Sequence, residues 1–136
     1  MIRKIYLATI IMMLSVLSLN AQDNEEKKPI VYPDLKPTFM VVDIYFAIQS
    51  LESIEITGTE VKAFLEVKKE VVSFLEEAKK QDLKVDDKIQ VTIAFKKAQN
   101  LISFLNRTKM TGRMAEQFNR FVDAIVDAAK EANKNM

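Results

Sequence analysis

The sequence predicts an all-α protein, a small antiparallel four-helix bundle carried behind a signal peptide. Three observations support this. Only two Gly and three Pro occur in 136 residues, too few for the many tight turns of an all-β fold. Hydrophobic residues make up 49% and charged residues 29%, an ordinary globular balance. Finally, apolar positions recur at helical spacing in segments separated by short polar connectors.

Residues 1–21 have the pattern of a signal peptide. Arg3 and Lys4 form a positive start, and residues 5–19 are an apolar run relieved by Thr9, Ser15 and Ser18. Ala21 is a small residue at the cleavage position. A permanent membrane helix needs about 20 apolar residues, so an uncleaved anchor is the alternative and the one membrane association expected. Cleavage after Ala21 leaves 115 residues beginning at Gln22, destined for the periplasm or the exterior. Losing Arg3 and Lys4 leaves 18 basic residues against 19 acidic ones, a net charge of −1. Nucleic-acid binding needs a cationic surplus, so it is not expected. The chain has no Cys, which excludes disulfides, thiol chemistry and a lipid-modified cysteine.

Residues 22–37 read as a charged tail and a lead-in that holds all three prolines. The apolar members Ile30, Val31, Tyr32 and Leu35 are expected to lie along a groove of the domain or to serve as a partner-binding arm. The domain itself is expected over residues 38–136.

The first helix is expected at residues 39–53 with Thr38 as its cap. Ten of the thirteen residues in 39–51 are apolar, so this helix should be the buried centre of the bundle, with Asp43, Ala47 and Ser50 as its narrow wet stripe. The β-branched and aromatic content of 39–46 keeps open an α+β alternative with short strands near 39–46 and 88–95. Length favours helix, because the apolar run outlasts a usual strand of about 5 to 6 residues.

Thr57 and Glu60 have capping-box spacing, so a second helix should start there and fray near Gln81, burying Val61, Phe64, Leu65, Val71, Val72, Leu75 and Ala78. Residues 82–87 form a connector, and Asp87 with Gln90 repeats the capping-box spacing. A third helix is expected from there through Leu105, although Ile89, Val91, Ile93 and Phe95 alternate as a strand would. Residues 106–112 form the last loop. Met114, Ala115, Phe118, Phe121, Val122, Ile125, Ala129 and Ala132 line one face of the fourth helix. Short connectors imply antiparallel neighbours.

With no His and no Cys, imidazole bases, hydrolytic triads and the usual zinc, copper and haem ligands are absent, so no cofactor or metal is expected. Three carboxylates are candidates for chemistry. Asp123 and Asp127 lie one turn apart and could clamp a hard cation, but neighbouring charges make surface pairing the ordinary reading. Asp43 sits among apolar residues, where a raised pKa would suit an acid catalyst; its small neighbours offer it water instead. Arg107, Lys109 and Arg113 concentrate charge before the fourth helix, whose amides favour an anion or a partner's acidic group. Val67, Phe74, Phe95 and Phe104 fall outside the core stripes and form a candidate apolar interaction face. The expected function is that of an exported, non-catalytic protein acting on another protein. An immunity-type inhibitor of a periplasmic toxin or hydrolase, and a carboxylate enzyme or ligand-binding bundle, are the alternatives.

Overall fold

The backbone of residues 35–41 decides the architecture. Their burial alternates, with Leu35, Pro37, Phe39 and Val41 inward and Lys36 and Thr38 exposed, the period of a strand and not of a helix. The computed structural model describes residues 30–136, within which Tyr32–Met136 forms one compact unit. The expected signal segment, the charged tail and Pro29 lie outside the described residues. The described chain is mostly helical, with four helices and one two-stranded antiparallel sheet in the order β1 (Thr38–Met40), α1 (Val41–Ser53), α2 (Val61–Lys80), β2 (Lys88–Gln90), α3 (Phe95–Leu105) and α4 (Gly112–Lys134).

The sheet corrects two expectations. Thr38 does not cap a helix: residues 38–40 pair with residues 88–90 in the register Thr38↔Gln90, Phe39↔Ile89, Met40↔Lys88. The third helix does not begin at Lys88 either, because Ile89, Val91 and Ile93 are buried on one face of the strand that alternation had suggested. The pairing runs on to a Leu35↔Ile93 bridge, with Leu35 and Ile93 exchanging both backbone bonds at 2.8 and 2.9 Å. From Tyr32 on, the lead-in is therefore part of the same compact unit. Asp87, expected to cap that helix, instead accepts the Lys84 N–H at 2.7 Å and ties the turn before β2.

α1 begins without a side-chain cap. Its first amides are satisfied from the connector, Val41 N–H by Asp87 O at 3.0 Å and Val42 N–H by Val85 O at 2.9 Å. As expected, α1 is the central helix, packed against each of the other three and against β1. Its wet stripe is not the expected one. Asp43, Ala47 and Ser50 are buried, and Tyr45, Gln49 and Glu52 face water. A stripe of small side chains lets a neighbouring helix approach closely, and Asp43 finds an arginine there.

α2 follows a capping box at Thr57 and a single 3₁₀ turn (Gly58–Glu60), as the spacing indicated. Its buried seam is Val67, Val71, Phe74, Leu75 and Ala78, rotated from the expected one, so that Val61 and Leu65 are exposed. The helix closes in a Schellman arrangement: Asp82 takes φ 54°, its N–H bonds Lys79 O at 3.1 Å and the Leu83 N–H bonds Ala78 O at 3.0 Å. At the heart of the core Phe39 stacks on Phe121 at 4.3 Å between ring centres and meets Phe74 at 6.1 Å.

Candidate functional site

The expected apolar interaction face is not on the surface. Val67, Phe74 and Phe104 are at most 5% exposed and belong to the core, where Phe104 meets Phe64 edge-on at 5.4 Å. Their helices bury a wider arc than a single stripe because each packs between two neighbours. Phe95 is half-buried beneath Tyr32, whose ring stacks on it at 4.5 Å and so fastens the lead-in to the start of α3.

Asp43 is 2% exposed and fully engaged. Arg120 of α4 donates to it from Nη2 at 2.8 Å and from Nε at 3.0 Å. The arginine itself reaches solvent, with 47% of its side chain exposed. Its pKa is raised, chiefly by the hydrogen bonds to Asp43. Buried and bonded through both oxygens to one guanidinium, Asp43 joins α1 to α4.

Arg107 is likewise occupied. It grips the Glu60 carboxylate with both Nη atoms, one of them at 2.9 Å, donates to Glu55 O at 3.3 Å and lies 5.4 Å over the Phe104 ring. Glu60 also accepts the Thr57 N–H at 2.9 Å, closing the capping box. These bonds, that of Arg107 foremost, hold the Glu60 carboxyl at about 2. Arg107 thus turns to the start of α2, while Lys109 and Arg113 stand exposed before and within the first turn of α4. Of the three charges expected to form one anion or partner site, Arg107 is already paired with Glu60.

Asp123 and Asp127 are both exposed on α4. Among the described residues no group of three or more His, Cys, Asp or Glu could hold a metal ion. No described helix is long and apolar enough to cross a membrane.

Two concavities are open. One, of about 420 Å³, is lined by Glu66, Lys69, Glu70, Ser73 and Lys97, where Lys97 and Glu70 already pair at 2.9 Å. The larger, of about 660 Å³, runs between the lead-in and the C-terminal half of α4. Ala124, Ala128 and Ala132 line it from α4, and Pro33, Asp34, Lys36, Pro37 and Thr38 together with Gln90 line it from the lead-in and the sheet, with Asp34, Asp127 and Glu131 outnumbering Lys36. Of this site the sequence reading had singled out only Asp127. The i, i+4, i+8 alanines were its one further local sign.

Set against known protein families, curated proteins and solved structures, the chain shows no significant match to any of them.

Proposed function

We propose that the protein is an exported, non-catalytic helical-bundle protein that acts by binding another protein. The observation that carries this reading is the state of its charged groups. The two arginine–carboxylate constellations, Arg120 with Asp43 and Arg107 with Glu60, are closed on themselves, and the larger of the two concavities described is lined by alanines of α4 and by residues of the lead-in and the sheet. Such a surface offers contact and hydrogen bonding, not a nucleophile and its base. A mature net charge of −1 gives no attraction to nucleic acid. The amino-terminal pattern of Arg3, Lys4 and an apolar run supports export to the periplasm or beyond.

The test is expression of the full chain with a carboxy-terminal tag in a Gram-negative host, followed by fractionation, amino-terminal sequencing and in-cell photo-crosslinking from several surface positions. A periplasmic or secreted product beginning at Gln22, with a discrete adduct to a second protein, is expected. A full-length cytoplasmic product would defeat the export reading. The absence of any heteromeric adduct from every position would defeat the binding one.

A further inference from the structure

The ladder between residues 35–41 and 87–93 leaves one edge of the first strand without a backbone partner among the described residues, and Lys36 and Thr38 on that strand line the larger groove. Leu35 pairs both ways with Ile93, Val91 N–H donates to Pro37 O at 3.0 Å and Val41 N–H donates to Asp87 O at 3.0 Å. Backbone groups at odd positions of this strand therefore face β2, and those of Lys36 and Thr38 face away from it. Pro37 has no N–H, but its nitrogen lies on the inner side, so the outer edge keeps its full set of donors and acceptors. Among the described residues the N–H groups of Lys36 and Thr38 bond no other backbone group, and Lys36 O receives only a long 3.5 Å contact from the Gln90 side-chain amide. These same residues line the groove, opposite the alanines of α4.

We propose that the groove takes up an extended, lysine- or arginine-bearing segment of a partner protein, which adds as a third strand to the outer edge of β1. This deepens the protein-binding reading above and rests on it. Three features agree on the occupant. The outward N–H and C=O groups of Lys36 and Thr38 recognise a peptide main chain, as in strand addition generally. Ala124, Ala128 and Ala132 keep the helix wall low, so that a peptide's side chains fit between strand and helix. Asp34, Asp127 and Glu131 outnumber Lys36 and favour basic side chains over acidic ones.

The probe is an acetylated, amidated six-residue peptide alternating valine and lysine, titrated into the isotope-labelled mature protein. The amides of Lys36, Thr38, Ala124, Ala128 and Ala132 are expected to shift. Affinity should fall at least about tenfold in the Asp127→Lys/Glu131→Lys variant, whose changes are on exposed positions and leave the fold intact. It should fall similarly when alternate backbone nitrogens of the peptide are methylated, or when its lysines become glutamates. Equal binding by the methylated peptide would refute strand addition, and equal binding by the glutamate peptide or by the charge-reversed protein would refute the choice of a basic occupant. Shifts confined to other surfaces, or none at millimolar peptide, would overturn the site. Photo-crosslinking separates this failure from that of the general reading. A heteromeric adduct formed from position 65 but not from position 128 removes the groove and keeps protein binding.

Discussion

Two arginine–carboxylate clamps of the same chemistry hold different parts of the molecule. Arg120 and Asp43, 77 residues apart, join α4 to the central helix at a carboxylate 2% exposed. Arg107 and Glu60, 47 residues apart, join the end of α3 to the start of α2 with both side chains partly in water. Burial makes the difference. At Asp43 desolvation has already been incurred, so the partner is indispensable; at Glu60 water can replace the partner. The two pairs therefore differ most in what removal of one partner does.

The largest effect is expected from Arg120→Ala, which strands a buried carboxylate. A loss of about 3 kcal/mol or more in denaturant unfolding is expected. A loss within a few tenths would show that Asp43 reaches water after all. Asp43→Asn should cost less, about 1 to 2 kcal/mol, because Arg120 can turn its exposed end to solvent. If the two variants were equally destabilised, the asymmetry between the buried and the exposed partner would be wrong.

The exposed clamp is read through pH. Glu60 titrates at about 2 in the folded protein, below its ordinary value of 4.5. The folded state therefore binds fewer protons than the unfolded one in this window, and the contribution of Glu60 is complete above about 4.5 and lost as pH falls toward 2. Glu60→Gln should flatten that part of the stability curve. A carboxyl shift in NMR with a midpoint near 4.5 would break the clamp. The smallest effect is that of salt. Raising ionic strength to about 1 M should shrink the deficit of Arg107→Ala while leaving that of Arg120→Ala nearly unchanged, since screening reaches exposed pairs first.

Some of this was readable locally. The Thr57–Glu60 spacing located the start of α2, because a capping box is made by residues three apart. The buried centre of the α4 stripe, Phe121, Val122 and Ile125, and the central position of α1 followed from the same short-range periodicity, while Ala115 of the expected stripe is exposed. The clamps and the groove were not readable: Arg107 was recognised as charge without its partner, and Asp34 and Lys36 gave no sign of lying opposite Asp127 and Glu131.

The ladder from Lys88 to Ile93 shows where the limit falls. Its alternation was visible, yet a single helix through Leu105 explained the local pattern with fewer breaks. What decided was pairing with residues 35–41, about fifty positions earlier, which alternate in the same way. The amino-acid sequence by itself determined a mostly helical domain, the cap of α2 and the burial of α1, since these depend on residues within a turn or two of one another. The tertiary structure alone decided which face of α1 is wet, where α3 begins and which charges are already paired. Each of these rests on a hydrogen bond or close approach between residues distant in the chain, and local periodicity carries no information about what will lie opposite.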